Sequence, residues 1–359
     1  VPFPPSYGGV IDIFFKLKAL HAAGLEIHLH CYQYGRPASE ELNKLCASVN
    51  YYPRRRSPHL LLNKKPFIVA TRNGSALLGN LLKDDSPILF EGLHCCNLLD
   101  HPQLAKRKKL VRTHNIEHDY YEALAKVEPR FFRKKYFLQE AKKLARFERV
   151  LEKAQHVLAI SPADAQALAA RYKHVINVPA FHANEAVKIL PGKGEFALYH
   201  GNLEVGENNQ AALYLVNDVF SDLDVPLIIA GNKPSAELQR AVSKYSHISL
   251  RANIPPAGID ELIRNAQINV LPTFQATGIK LKLLAALFNG RHCIVNTPMV
   301  ANTGLEKLCL TCDSAAEMKK ATKEKFAMDF DPGLQKEREA ILLKDFSNEK
   351  NAEKILKLL

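Results

Sequence analysis

The chain has no tryptophan and only three methionines in 359 residues, and it has no long apolar run. None of its apolar stretches approaches the ~20 residues that a membrane-crossing helix needs, which excludes a helical span. The start "VPFPPSYGG" shows no charged-then-apolar signal pattern, so the cytoplasm is the expected compartment. Seven cysteines, Cys31, Cys46, Cys95, Cys96, Cys293, Cys309 and Cys312, are odd in number and sit mostly in apolar runs. That suits reduced core thiols better than a disulfide framework. The pair in "LCLTC" has zinc-like spacing but no second pair, so no closed four-ligand zinc site and no other metal is expected. Neither a G-x-G-x-x-G fingerprint nor a G-x-x-x-x-G-K-[ST] loop occurs, which disfavours dinucleotide binding.

What is present is an ordinary globular composition, 47% hydrophobic, with length enough for about two domains. The net charge of +12 calls for an anionic partner. Much of the excess lies between Lys106 and Arg149, in "AKRKKLVRTH" and "RFFRKKYFLQEAKKLARFERV". This region suits peripheral contact with an anionic membrane at its inner face as well as a solvated helix surface. Nucleic acid is not expected, because no helix-turn-helix, zinc finger or aromatic-on-strand pattern accompanies the charge.

Short β-branched runs alternate with helical stretches, the pattern of parallel sheets with crossover helices. In the first half the strands are read as "EIHLHCY", "FIVAT", "PILF", "KLVRTH", "HVLAIS" and "VINV". In the second half they are "FALYHG", "PLIIAG", "HISL", "INVLP", "CIVN" and "CLTC". The stretch "PAFHANEAVKILPGKGE" reads as an interdomain linker. The domains are accordingly 1–182 and 183–344, with a helix at 345–359 that packs back on the first. The chain opens on a turn and a helix, so a strand of roughly ten residues is expected upstream.

Ligands of open α/β sheets sit beyond the carboxyl ends of the strands, so residues just after each strand carry the candidate chemistry. They are Gly8 and Gly9; Glu91, Gly92 and His94; His114, Asn115, Glu117 and His118; then Gly201, Asn202, Gly231, Asn232, Asn253 and the stretch from Thr273 to Lys282. In "THNIEHDYYEAL" Asn115 is the expected N-cap, with Glu117, Asp119 and Glu122 favourable in the first turns. Capping leaves His114 and His118 unexplained, and His94 and His114 close adjacent strands where both could meet a hydroxyl-bearing substrate. Lys280 and Lys282 stand behind Thr277 and Gly278 where a helix should begin. Cations there oppose the helix dipole unless an anion sits opposite.

Taken together, "YGG", "THNIEHDYY", "HGNL", "IIAGNKP", "LPTF" and above all "TGIKLKLLAALFNGRHCIVN" resemble the two-domain GT-B glycosyltransferases, specifically the retaining, nucleotide-sugar-dependent family 4 group. The resemblance implies an α/β chain of two Rossmann-like, doubly wound parallel-sheet domains facing a central cleft. It implies transfer of a hexose, as in the mannosyltransferases, from a UDP- or GDP-linked donor to a glycan or lipid-linked acceptor, with retention and without a metal or other cofactor, in bacterial surface polysaccharide biosynthesis.

By the same resemblance Gly8 and Gly9 approach the donor diphosphate, and His114 or His118 contacts the sugar or the acceptor hydroxyl. Gly201 and Asn202 lie by the diphosphate, Asn253 near the base, and Gly278 with Ile279 at the phosphate-binding helix start. Lys280 or Lys282 stabilises the charge growing on the departing diphosphate. The two family glutamates fall at Thr277 and Ala285 here, so the expected ribose contact is missing. The basic pair after the first strand of the donor domain is replaced by Asn202, Glu204 and Glu207. A catalytically silent GT-B domain is the competing reading; a sugar-nucleotide 2-epimerase is disfavoured because it would need those carboxylates.

Overall fold

The structure is a computed structural model that describes residues 1–6, 8–274 and 280–359. The chain divides into one unit of Val1–Phe181 with Asn348–Leu359 and another of His182–Ser347.

In the first unit β1 (His28–Gln33) pairs in parallel with β2 (Ser48–Pro53) as a sheet of its own. A second parallel sheet runs β3 (Ile88–Glu91), β4 (Lys109–Thr113), β5 (His156–Ala159), β6 (Val175–Asn177) in that order. All five residues of β4 are buried, as a central strand covered on both faces requires. On one side Leu110 and Leu158 pack with Leu20 of the Gly8–Ala22 helix, Phe181, and Ala352 and Ile355 of the Asn348–Leu356 helix. On the other, Val111 and Val157 join Leu93, Leu144 and Leu151.

The second unit is a six-stranded sheet. Its strands are β7 (Ala197–His200), β8 (Leu227–Gly231), β9 (Ile248–Ala252), β10 (Ile268–Leu271), β11 (His292–Val295) and β12 (Leu310–Thr311), and they lie in the order β12-β11-β10-β7-β8-β9. All its pairings are parallel. Counted from β7, the order reads 3-2-1-4-5-6, the doubly wound Rossmann arrangement, whose direction reverses between β7 and β10. The core spans both halves of this sheet, from Tyr199 and Ile229 to Val270 and Ile294. Val187 and Ile189, from the stretch read as a linker, are buried in it.

Two expectations are corrected. "FIVAT" is not a strand: Phe67–Ala70 is a single helical turn begun by Pro66, and the Phe67 amide donates to the buried carboxylate of Glu140. Asn115 does not cap its helix; Ile116 is the N-cap of Glu117–Val127 and offers no side-chain acceptor.

Candidate functional site

The direction of a doubly wound sheet reverses at one place, and the crevice beyond the strand ends there is where such folds hold ligands. In the second unit this places the ends of β7 and β10, with the segments that follow them, at the ligand edge. After β7 come Gly201, Asn202 and the helix Gly206–Tyr214 with Glu207 in its first turn. After β10 come Thr273 and, past the undescribed residues, Lys280 at the N-cap of the helix Leu281–Asn289. Thr277, Gly278 and Ile279 lie outside the described residues.

These segments meet through side chains. Thr273 Oγ1 donates to Glu207, and Lys280 Nζ stands 3.4 Å from the same Glu207 oxygen. Lys282 Nζ donates to Asn208 Oδ1 at 3.1 Å, lies 3.4 Å from the Tyr199 hydroxyl and sits 4.9 Å from the centre of that ring. Burial lowers the Lys282 pKa to about 8, with Glu207 opposing and Lys280 assisting the drop. It remains mostly charged at neutral pH, a cation held in partly dry surroundings. His200 lies beside it, buried, with Nε2 unpartnered among the described residues and its pKa pushed down to about 3 by burial and by Lys282.

Backbone shape at the strand ends is fixed by close approach. A methyl group added at Gly231 would overlap the Gly201 carbonyl oxygen, so the β8 end tolerates no side chain there. At Gly201 it would come 3.2 Å from the Asn208 amide carbon. Asn202 accepts from the Glu204 amide through Oδ1 and from Asn208 Nδ2 through its carbonyl. Asn253, at a left-handed φ of 57°, accepts from the Lys233 amide, which ties the ends of β8 and β9 together. Ala285 packs with Leu198, Ala230 and Ile263, an apolar cluster, where the family resemblance calls for a carboxylate.

In the first unit the ends of β3 and β4 and the helix Gly8–Ala22 surround a buried ionic group. Asp12 and Lys16, one helical turn apart, both face inward and are 2% exposed. Asp12 is ion-paired with the fully buried Arg112 and accepts from the Phe181 amide at 2.7 Å. Arg112 donates onward to the Val178 and Pro179 carbonyls. Burial alone would raise the Asp12 carboxyl, but Arg112, His114 and Lys16 together hold it below its ordinary value. Lys16 is paired with Glu91.

His114 completes this group, with Nε2 3.0 Å from Glu91 Oε2 and 3.6 Å from Asp12 Oδ2. Burial brings its pKa down to about 4. The neutral ring therefore donates from Nε2 to a carboxylate and leaves Nδ1 as the acceptor, beside Gly9. A methyl group at Gly9 would come 3.3 Å from that Nδ1, whereas Gly8 has open space at the same position. His94 is kept neutral by burial and by Arg72 and His114.

His118 belongs to a different set: Nδ1 is 3.0 Å from Glu148, which also accepts from Tyr172 and pairs with Arg171. That carboxylate raises the His118 pKa. One atom each of Asp12, Glu91 and His114 lie within 4.8 Å of one another, a donor set of the kind divalent metals take. Here Arg112 and Lys16 already occupy the two carboxylates, and burial together with Arg112 holds the Lys16 pKa well below its ordinary value. Sequence reading missed Asp12, Lys16 and Arg112. The signal was two charges at i, i+4 inside the otherwise apolar "VIDIFFKLKAL".

Comparison with known proteins bears on both units. Residues 195–324 match the family model described as glycosyl transferases group 1. A Klebsiella pneumoniae protein described as an uncharacterized 44.6 kDa protein in cps region is 25% identical over 306 residues, covering 80% of this chain and 78% of the relative. A solved glycosyltransferase from Rickettsia africae superposes with a TM-score of 0.62 at 12% identity, over 98% of this chain and 94% of that one. S. aureus TarM, solved as a variant with fondaparinux, alpha-GlcNAc-glycerol and UDP, superposes with a TM-score of 0.52 at 11% identity; it matches 81% of this chain, which spans only 58% of TarM. No described helix is long and apolar enough to cross a membrane. Residues 195–324 are thus similar in sequence to the group 1 glycosyl transferases, and the chain takes the GT-B fold.

Proposed function

We propose that the protein transfers a hexose from a UDP- or GDP-linked donor to a glycan or lipid-linked acceptor, with retention of anomeric configuration, in surface polysaccharide biosynthesis. The observation that carries this reading is the pair Lys280 and Lys282 beside Gly201 and Asn202 at the reversal point of the second unit's sheet. Breaking the anomeric bond leaves negative charge on the departing diphosphate. A fixed ammonium in dry surroundings stabilises that charge more than water does and needs no reorganisation as it forms. Lys282 meets that description through its contacts to Asn208 and Tyr199. On the same reading Thr277, Gly278 and Ile279 contact the diphosphate, and Asn253 borders the base.

The acceptor binds on the first unit, where neutral His114 offers Nδ1 to a hydroxyl and Gly9 leaves room for it. His118, held by Glu148, binds an outer part of the same acceptor. The two lysines do the work a metal ion would do, so the transfer needs none. The cps-region relative supports a polysaccharide product, and a lipid-linked acceptor calls for a peripheral position at the inner membrane face.

Ala285 and Glu207 favour a second reading, a GT-B domain that binds a sugar nucleotide without transfer. Calorimetric titration with UDP, GDP and their common sugar conjugates, with a Lys280→Ala/Lys282→Ala variant beside it, tests the donor site. Binding of one conjugate that the variant loses supports it, and no binding by folded protein overturns it. Incubating the bound conjugate with lipid-linked acceptors then separates the two readings, since a silent domain releases no nucleoside diphosphate.

A further inference from the structure

From Arg130 to Arg149 the chain carries eight basic residues and two acidic ones, Glu140 and Glu148. Both glutamates are turned inward, at 1% and 2% exposure, the first accepting from the Phe67 amide and the second paired with Arg171. The helix Phe131–Phe147 buries Glu140, Ala141 and Leu144. At ~100° per residue its opposite face carries Phe132, Lys135, Gln139, Lys142 and Arg146, with no carboxylate.

The first turn is unusual in two ways. It holds no acidic residue, although Arg130, Arg133 and Lys134 crowd the positive end of the helix dipole. It also leaves Phe131 and Phe132 at 71% and 83% exposure, their rings edge to face at 5.7 Å. Water is a poor environment for two adjacent phenyl groups, and Glu128, which pairs with Arg130 and Arg133, is a single carboxylate beside a face that otherwise carries only cations. A bilayer of anionic lipid suits both the rings and the cations, since its headgroup region is negative and its acyl boundary apolar within a few ångströms of depth. A double-stranded nucleic acid offers the charge alone, its bases being stacked inward.

We propose that the outward face of the helix Phe131–Phe147 docks on an anionic phospholipid bilayer, with Phe131 and Phe132 entering the acyl boundary and Lys135, Lys142 and Arg146 lying on the lipid phosphates. This narrows the membrane placement suggested by the basic residues between Lys106 and Arg149 to one helix and two side chains. It deepens the proposed peripheral position but is independent of transfer: a failed donor titration leaves it standing, and a failed vesicle assay leaves the donor site standing.

The test is sedimentation of the full chain with phosphatidylcholine vesicles, with and without about 30% phosphatidylglycerol, from roughly 0.1 to 0.5 M salt. Binding is expected only with phosphatidylglycerol, weakening as salt rises. Replacing Lys135, Lys142 and Arg146 with Gln should lower it on the order of 100-fold. Because the chain has no tryptophan, Phe132→Trp gives a single reporter at an exposed position. Its emission should shift to the blue on vesicles and be quenched by lipids brominated along the acyl chain. Equal binding to neutral vesicles, no vesicle binding, or binding without acyl-chain quenching each overturns the proposal. So does a concentration-dependent dimer abolished by Phe131→Ser/Phe132→Ser, or binding to single-stranded RNA in place of vesicles.

Discussion

Lys282→Met is expected to stabilise the second unit while abolishing donor binding. Folding takes the Lys282 ammonium from a pKa of 10.5 to about 8, with burial as the leading cause. At ~1.4 kcal/mol per pH unit this is roughly 3 kcal/mol by which the native state disfavours the charged form. Methionine has similar volume and no charge to desolvate, so most of that penalty disappears, less the lost contact to Asn208. A net gain of about 1–3 kcal/mol at pH 7 follows. The pH dependence fixes the cause. Between pH 8 and pH 10.5 the native lysine has released its proton and the unfolded one has not, so wild-type stability rises across that window and the gap to the variant closes. Hydrogen exchange of the β7 and β10 amides at pH 7, 8.5 and 10 reads this unit without interference from the other. If Lys282→Met is less stable at pH 7, or the gap does not change with pH, the ammonium is structural and the argument for its role on the diphosphate fails.

Glu207→Gln keeps an oxygen for Thr273 but removes the carboxylate that faces Lys280 at 3.4 Å. Calorimetry should show nucleoside diphosphates binding about 3- to 10-fold tighter, and weaker binding would show that Glu207 orients the lysine productively rather than competing with phosphate. Asp12→Asn leaves Arg112 buried without its counter-ion and should cost about 3 kcal/mol in urea melts of the first unit. Because the native Asp12 carboxyl is held low, its stabilisation is present above the unfolded value near pH 4 and lost as pH falls through the native one. The variant should therefore show a shallower acid-induced loss, and an unchanged acid limb would contradict this. His118→Gln acts at the other end of the scale. Glu148 raises the His118 pKa, so its contribution is complete below the unfolded pKa of about 6.5 and lost as pH rises through the native value. The variant's urea midpoint should approach that of the wild type above neutrality, and a constant difference from pH 5 to about pH 9 would refute the pairing.

Where apolar runs were long enough to fill one strand, the residues alone located the element, as "KLVRTH" and "INVLP" did for β4 and β10. "FIVAT" has the same composition, but the Glu140 carboxylate, more than seventy residues away in the chain, accepts its first amide and holds it as a helical turn. No local pattern carries that information. "SVNYYP" shows neither clean alternation nor a continuous apolar run, so its residues do not mark it as β2; parallel pairing with β1 is what makes it a strand. The ligand-edge residues were legible because strand ends can be counted from sequence. Their partners were not: Glu91 was named, but Lys16, the buried cation that holds it, comes from an apolar helix.

The lysines at 280 and 282 raised the question of what anion sits opposite, and within the second unit part of the answer is Glu207. A carboxylate in the first turn of Gly206–Tyr214 is favoured by that helix's own dipole and need not be explained by function. A lysine at the N-cap of Leu281–Asn289 is disfavoured by its helix's dipole, and Glu207 offsets that cost. For Lys282 the same carboxylate compensates only in part, acting against a burial penalty that outweighs it. Its hydrogen bonds go to a neutral amide and a neutral hydroxyl, and its depressed pKa records a cation the fold keeps at a loss. A half-buried position of that volume would be filled more stably by leucine or methionine. On the proposed donor reading that ammonium meets an anion arriving at the strand ends of β7 and β10, and of the two lysines it is Lys282 whose replacement should separate binding from stability.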